Sequence, residues 1–191
     1  MVKKVVHFKF NPYLPITETW IYYQIKNLER YKPVVYAPYT ENLDLYRVDK
    51  IRTVRYRHSR QNEKTTFIER IAGALYFNAS SVFFLLEDRP DLIHAHFGPS
   101  GYQFLYPAGI TKTPLITSFY GFDVGQLVKQ SPDWMDKYKK LFFHGKLFLT
   151  EGSHMKKTLV ELGCPEDKIV LQHLGIDLDQ IRFLSRTLKE D

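Results

Sequence analysis

Residues 91–123 read DLIHAHFGPSGYQFLYPAGITKTPLITSFYGFD, and this stretch decides the fold. It contains two short apolar runs, LIHAHF and PLITSFY, with a helical stretch opened by Pro99 between them. Short apolar runs on either side of a helix are typical of two parallel strands joined by a crossover helix. The stretch therefore predicts one β–α–β unit, and the same alternation extends toward both ends of the chain.

The amino-terminal part continues this alternation. Residues 3–10, KKVVHFKF, predict a buried strand, and Thr17 is placed to cap a helix whose apolar residues follow helical spacing. Those apolar residues are Trp20, Ile21, Ile25 and Leu28. The run PVVYA from Pro33 predicts a second strand, and an imperfect alternation over residues 51–56 predicts a third.

The remaining elements complete the same pattern. Residues 63–86 predict one long helix, which is either straight or kinked near residues 78–81, and helical stretches follow the fifth strand as far as Phe142. The strand KLFLT, a helix over residues 153–162 and the strand KIVLQHL close the sequence of elements. Together these elements predict an α/β, Rossmann-like fold with a mostly parallel sheet and helices on both faces.

The composition supports one globular domain. The chain has 191 residues, of which 44% are hydrophobic and 25% charged, and its net charge is +6. We expect the domain to span residues 1–179, followed over residues 180–191 by a frayed tail or the start of a linker.

No apolar run approaches the ~20 residues of a membrane helix, and the first ten residues lack a continuously apolar signal segment. With Cys164 as the single cysteine, the chain has no internal disulfide, and we expect a cytoplasmic protein.

Several motifs that would specify chemistry are absent from the sequence. There is no GxGxxG after the first strand, no GxxxxGK[ST], no HExxH and no CxxC. These absences exclude Walker-type phosphate chemistry and disfavour an orthodox dinucleotide site. We expect no cofactor.

Polar residues follow three of the predicted strands, where ligands bind in open parallel sheets. These residues are His94, His96 and Gly98, then Tyr120 and Asp123, then Glu151. His94 and His96 share one face of a strand and would bind a metal if a carboxylate joined them. The ordinary interpretation is that one histidine packs in the sheet while the other borders the cleft, and we expect no metal. Asp123 and Glu151 lie where carboxylates also serve as helix caps.

The excess positive charge is concentrated in residues 47–60. This segment holds six basic residues against one acidic residue: Arg47, Lys50, Arg52, Arg55, Arg57 and Arg60. One interpretation is a patch that faces phosphate or an anionic surface. The other is an edge strand protected by its charges.

An apolar stripe with interspersed lysines lies around Trp134 and Met135. It is either a core-facing helix or a helix lying on an anionic membrane. Whether the protein attaches to the inner face of a membrane stays open.

Three segments resemble the amino-terminal domain of glycosyltransferase family four, retaining enzymes of the GT-B fold, and especially bacterial exopolysaccharide and colanic-acid-type transferases. They are PYLPITETWIYYQIKNLERY, DLIHAHFGPSGYQF and PLITSFYGFDV, and the closing LTEGSHMKKTLVELGCPEDKIVLQHLGIDLDQ is also similar. The resemblance implies one half of a GT-B fold, the acceptor-binding half. The carboxy-terminal domain that would hold the nucleotide sugar is not in this sequence, and we expect this chain alone to be inactive.

The resemblance also implies roles for individual residues. The loop containing Pro15, Thr17, Glu18 and Thr19 would lie beneath the donor phosphates. His96, Gly98, Tyr120, Asp123 and Glu151 would border the acceptor, with Tyr120 and Asp123 the candidate catalytic residues that orient its hydroxyls. Relatives commonly carry histidine where this chain has Tyr120, and a tyrosine with an ordinary pKa near ~10 is a poor base. Retaining transfer is thought to depend on the leaving phosphate, so the change need not abolish activity.

These features predict a hexosyltransferase that moves a sugar from a nucleoside diphosphate to a lipid-linked or polysaccharide acceptor. One alternative is a non-catalytic subunit that binds glycan. A second is a basic nucleic-acid-binding module, suggested by a pI near 9.2 and 15% aromatic residues. We disfavour nucleic acid as a partner because most aromatic residues lie in apolar strands and helices, where core packing explains them.

Overall fold

A computed structural model describes residues 2–55 and 66–175. Its seven strands are β1 (Lys3–Phe8), β2 (Tyr31–Ala37), β3 (Ile51–Thr53), β4 (Leu92–His96), β5 (Leu115–Phe119), β6 (Leu147–Thr150) and β7 (Ile169–Leu171). Its seven α-helices are α1 (Thr19–Lys26), α2 (Phe67–Asp88), α3 (Gly98–Thr111), α4 (Phe122–Gly125), α5 (Leu127–Gln130), α6 (Trp134–His144) and α7 (Ser153–Glu161). No α-helix among these residues is both long and apolar enough to cross a membrane.

All seven strands form one parallel sheet in the order β3-β2-β1-β4-β5-β6-β7. The chain builds outward from β1 to β3 and then returns to place β4 on the other side of β1. This reversal opens a crevice at the carboxyl ends of β1 and β4, the usual ligand position in such a sheet. The predicted Rossmann-like α/β fold is confirmed.

Alternating side chains divide the core between the two faces of the sheet. On one face Val6, Phe8 and Ile93 pack in a large cluster that also contains buried residues of α2, α3 and α6. On the other face Val35 and Ala37 pack beneath Ile21 and Ile25 of α1. His7 and His94, neighbours in register, take the alternate positions of β1 and β4 and therefore face the second side.

The structure corrects several predicted boundaries. Thr17 does not cap α1, because residues 16–18 form a short 3₁₀ turn and α1 begins at Thr19 without a side-chain cap. The single long helix is confirmed as α2, which begins at Phe67 with a capping box between Thr66 and Glu69. β3 ends at Thr53, before the predicted end. Its last predicted residue, 56, and the tail over 180–191 lie outside the described residues.

The apolar stripe of α6 belongs to the core. Tyr138, Leu141 and Phe142 are at most 1% exposed, and they pack against Phe119 and Phe148 of the sheet. A helix whose apolar face is buried in this way cannot also rest that face on a lipid surface. The core-facing alternative is therefore correct for α6.

Candidate active site

The carboxyl ends of β1, β4 and β5 bring five polar side chains together on one face of the sheet. These side chains are His7, His94, His96, Ser118 and Tyr120. The three strands are neighbours, and His96 is in register with Ser118. The sequence pattern predicted three of these residues, His94, His96 and Tyr120, and it missed His7 and Ser118.

The three histidine rings form a compact cluster. Their centroids lie 5.2 Å apart for His7 and His94, 5.3 Å for His7 and His96, and 4.4 Å for His94 and His96. His7 Nδ1 lies 3.0 Å from His96 Nε2, so one of these nitrogens carries the hydrogen that the other accepts. His94 Nε2 lies 2.7 Å from Ser118 Oγ, and His96 Nδ1 lies 2.9 Å from the Tyr120 hydroxyl. The cluster is therefore connected to both loops that follow β4 and β5.

Burial keeps the three rings neutral at physiological pH. Desolvation lowers the pKa of His94 to about 4, and it lowers the pKa of His7 and His96 well below the ordinary value, with neighbouring positive rings acting in the same direction. A neutral imidazole has one donor and one acceptor nitrogen. His7 Nε2 is buried and has no hydrogen-bond partner within residues 2–55 and 66–175. The network is thus incomplete at this atom.

Tyr120 lies between this cluster and α1. Its ring is 4.7 Å from that of Phe97 and 5.9 Å from that of Trp20, and the residue is 6% exposed. Burial raises the pKa of Tyr120 above its ordinary value, so the phenol stays protonated at neutral pH. In this state Tyr120 donates or accepts a hydrogen bond and is unsuited to act as a base.

Asp123 joins the loops after β4 and β5. One carboxylate oxygen accepts a hydrogen bond from the backbone N–H of Gly98 at 2.7 Å, and the other accepts from the N–H of Tyr120 at 2.9 Å. Desolvation raises the pKa of Asp123 to about 7, although these backbone bonds oppose the rise. Because both oxygens are occupied by backbone donors, Asp123 fixes the position of Tyr120 in this structure.

Gly98 is required by close packing. A Cβ atom there would lie 2.6 Å from the ring of Phe119 and 2.6 Å from the hydroxyl of Tyr138. The preceding Phe97 has a positive φ of 73°, which turns the chain sharply from β4 into α3. Gly98 thus shapes the loop at the crevice, and His96, fully buried, reaches the crevice through the Tyr120 hydroxyl.

The predicted donor loop lies at the rim of the crevice. Pro15 precedes the 3₁₀ turn, Thr17 is exposed, and Thr19 begins α1. Glu18 forms an ion pair with Lys9, the residue that follows β1. Leu14 has a positive φ of 69°, so the loop leaves β1 through a sharp bend.

Lys9 is a site residue that the sequence reasoning missed. It is only 2% exposed, its ammonium donates to the carbonyl of Pro12 at 2.7 Å, and it lies 5.6 Å from the centre of the Phe97 ring. Burial lowers the pKa of Lys9, and the ion pair with Glu18 opposes this change. The signal was a lysine between two phenylalanines near the end of the run KKVVHFKF, directly after the first strand.

A cavity of about 250 Å³ opens beside this ion pair. Its lining combines aromatic rings with charged groups: Lys9, Phe10, Glu18, Phe97, Phe122 and others. Glu151 lies in a separate, narrower crevice with Gln24, Tyr120 and Thr150. Tyr120 lines the narrower crevice, and Phe122 and Asp123, which follow it closely in sequence, line the cavity beside Lys9.

Part of the basic segment is engaged in ion pairs. Lys50 and Arg52 contact Asp88, and Arg52 also contacts Glu87 at 2.6 Å. Arg47 and Arg55 are exposed. Arg57 and Arg60 lie outside the described residues, so the predicted anionic-surface patch is represented here by these two exposed arginines.

The sequence of residues 17–180 matches the model of the family described as Glycosyltransferase Family 4. The chain belongs to this family. Among curated proteins, it is 32% identical over 101 residues to WcaL of Salmonella typhimurium and 31% identical over 103 residues to WcaL of Escherichia coli. Both are provisionally named colanic acid biosynthesis glycosyltransferases. The matches cover 52% and 53% of this chain, and about a quarter of each relative, at 24% and 25%.

Solved structures of GT-B proteins share the fold. HepE of Anabaena, crystallised with UDP and glucose, aligns with a TM-score of 0.69 at 12% identity over 93% of this chain and 46% of its own. UDP-GlcNAc 2-epimerase from Neisseria meningitidis, bound to UDP-GlcNAc, aligns with a TM-score of 0.60 at 14% identity over 88% of this chain and 45% of its own. The chain therefore spans about half of each of these proteins and shares the fold of that half.

Proposed function

We propose that this glycosyltransferase family 4 chain is the acceptor-binding half of a retaining enzyme. The enzyme would transfer a hexose from a nucleoside diphosphate sugar to a lipid-linked or polysaccharide acceptor. The observation that carries the proposal is the crevice at the carboxyl ends of β1 and β4, where polar and aromatic side chains converge. A second domain outside residues 1–191 would hold the nucleotide sugar, and we propose that this chain alone is inactive.

The cavity beside Lys9 suits a sugar. The rings of Phe10, Phe97 and Phe122 offer apolar surfaces for a pyranose face, while Lys9 and Glu18 offer a donor and an acceptor for its hydroxyls. The loop of residues 15–19 forms the rim on the side where donor phosphates would enter. Glu151 would close the far side, next to Tyr120.

Tyr120 would orient an acceptor hydroxyl by hydrogen bonding. Its protonated state fits a mechanism in which the leaving phosphate, and not a protein base, accepts the acceptor proton. Asp123 would contribute indirectly, because it holds the backbone of Tyr120 in place. The proposed transfer uses no metal ion and no cofactor.

We also propose a cytoplasmic location with attachment to the inner face of an anionic membrane. Large apolar side chains on α2 are at least 60% exposed, namely Phe67, Ile68, Leu75, Phe83 and Leu86. Arg47 and Arg55 supply exposed positive charge, which anionic headgroups attract. Co-sedimentation with phosphatidylglycerol vesicles should fall when Leu75 and Phe83 are changed to Ser, and binding that persists unchanged would exclude α2 as the attachment.

The transfer reaction is tested with the longest polypeptide encoded by the reading frame that contains residues 1–191. It is incubated with nucleoside diphosphate sugars and lipid-linked glycan, and the anomeric configuration of the product is read by NMR. We expect transfer with retention, and an approximately tenfold lower kcat/KM for Tyr120→Phe, which corresponds to about 1.4 kcal/mol.

His154→Gln on α7 is the matched control, since His154 is exposed and should leave transfer unchanged. An inverted product would contradict the retaining mechanism. Glycan binding without any turnover would instead support the non-catalytic subunit.

A further inference from the structure

Three histidines from two strands form a donor set that the proposed transfer does not use. The candidate ligand atoms of His7, His94 and His96 all lie within 4.8 Å of one another. We propose that these three side chains form a binding site for one transition-metal ion, with Zn²⁺ as the representative ion. The site is distinct in chemistry from the transfer reaction, and it would join β1 to β4 beneath the crevice.

The donor type selects the class of metal. Three imidazoles and no carboxylate suit Zn²⁺, Co²⁺, Ni²⁺ or Cu²⁺, while Mg²⁺ and Ca²⁺ require oxygen ligands. In a tetrahedral site with Zn–N bonds of ~2.05 Å, ligand nitrogens lie ~3.4 Å apart. The 3.0 Å between His7 Nδ1 and His96 Nε2 already approximates this spacing. Small side-chain rotations would close the remaining separations around an ion.

The groups around the cluster resemble the outer shell of a metal site. A metal-bound histidine usually directs its second nitrogen to a hydroxyl, carbonyl or carboxylate that fixes the ring. Here His94 Nε2 faces Ser118 Oγ at 2.7 Å, and His96 Nδ1 faces the Tyr120 hydroxyl at 2.9 Å. Both rings are therefore held in place through these outer nitrogens, while His96 Nε2 shares a hydrogen with His7 Nδ1 that an ion would replace.

The metal-free network shows a deficiency at His7. The hydrogen between His7 Nδ1 and His96 Nε2 occupies a position that an ion would take, and His7 Nε2 has no partner among the described residues. Because His7 Nε2 has no hydrogen bond to lose among the described residues, it can carry the hydrogen that leaves His7 Nδ1 when an ion binds there. On metal binding the shared hydrogen would move to an outer nitrogen, and both rings would turn a lone pair toward the ion.

The charged group nearest to His96 is Lys9, and its ion pair with Glu18 offsets its field. The donor atoms that would face the ion are imidazole nitrogens.

The test uses the chain after treatment with a chelator, and the probes are Zn²⁺ and Co²⁺ alone. We expect one Zn²⁺ per chain by elemental analysis after gel filtration, and the visible absorption bands of tetrahedral Co²⁺ with nitrogen ligands. Zn²⁺ should also raise the midpoint of thermal unfolding in a concentration-dependent manner.

Variants identify the ligands. His7→Gln and His94→Gln should each lower affinity at least 100-fold, whereas His154→Gln and His144→Gln, on exposed positions, should leave it unchanged. If a histidine variant does not fold, Ser118→Ala removes an outer partner and should weaken binding roughly 10- to 100-fold. Absence of a stoichiometric ion in the unaltered chain, or loss of binding with the exposed histidines only, would overturn the proposal.

Discussion

Asp88 and Asp123 are equally inaccessible to solvent, but Asp123 lies deeper in the protein, and the two carboxylates are held by different partners. Each residue is 1% exposed. The Asp88 carboxylate accepts hydrogen bonds from Lys50, Arg52 and the hydroxyl of Tyr36. The Asp123 carboxylate accepts bonds from backbone N–H groups of Gly98 and Tyr120.

The differences in depth and in partners give the two carboxyl groups opposite pKa shifts. Burial raises the pKa of the Asp88 carboxyl, but the hydrogen bonds from Arg52, Lys50 and Tyr36 outweigh it and bring the pKa down to about 2. For Asp123 burial is the larger effect, and the pKa is raised to about 7. Positively charged side chains compensate a buried carboxylate for its lost hydration, whereas backbone N–H dipoles compensate it only in part.

The two aspartates also serve different parts of the molecule. Asp88 ends α2 and ties it to β2 and β3, away from the crevice. Asp123 lies in the first turn of α4 and ties the two loops that shape the crevice. We infer that the network of charged side chains around Asp88 stabilises the architecture. The backbone hydrogen bonds to Asp123 instead position the candidate site.

The largest effect is expected from Asp88→Asn. Asparagine keeps one acceptor oxygen but removes the charge, so Lys50 and Arg52 remain partly desolvated beside a neutral group. We expect the free energy of unfolding to fall by about 3 kcal/mol, measured by urea denaturation followed by circular dichroism. Asp136→Asn is the matched control, because its side chain is 80% exposed, and it should change stability by less than about 0.5 kcal/mol. Equal losses in the two variants would remove the basis of the comparison.

The next prediction concerns the pH dependence of stability between about pH 2 and 7. The depressed pKa of Asp88 gives stability that is present above about pH 4 and is lost as the pH falls toward 2, an effect of about 2 kcal/mol. The raised pKa of Asp123 has the opposite sign, because the folded state binds the proton more tightly. Its contribution is greatest at about pH 4 and declines as the pH rises toward 7.

Urea unfolding measured at several pH values separates two effects: the loss of stability at acid pH, here called the acid limb, and the decline in stability toward pH 7. Asp88→Asn should flatten the acid limb and leave the decline toward pH 7, whereas Asp123→Asn should flatten that decline and leave the acid limb. A decline toward pH 7 that persists in Asp123→Asn would assign it to another group.

The sequence predicted the fold because the elements differ in hydrophobic period. Runs such as LIHAHF and PLITSFY are short and apolar, whereas α2 repeats apolar residues at three and four. The period did not distinguish the two alternatives for α6, since a core-facing helix and a membrane-lying helix have the same stripe. Only the position of Tyr138 against Phe119 decides between them.

Only part of the candidate site could be predicted, because local sequence does not show which strands lie side by side. Residues that follow one strand are visible in sequence, and His96, Tyr120 and Asp123 were found in this way. The partnership of His7 with His96 depends on β1 lying beside β4, which follows from the strand order and not from local sequence. The pairing of Lys9 with Glu18 likewise depends on the bend at Leu14.

The smallest effect is expected from Tyr138→Phe. This variant tests whether the hydrogen bond from Tyr138 helps to hold Asp123 in place. The Tyr138 hydroxyl donates to the backbone carbonyl of Asp123 at 2.8 Å, and both groups are buried. Phenylalanine preserves the ring packing against Phe119 and removes only this bond, so we expect a loss of about 1 kcal/mol in the free energy of unfolding. Since the carboxylate of Asp123 keeps its two backbone donors, the decline in stability toward pH 7 should persist in this variant. A Tyr138→Phe protein that loses this decline would show that Tyr138 controls the environment of the carboxylate, and Asp123 would then depend on side-chain partners as Asp88 does.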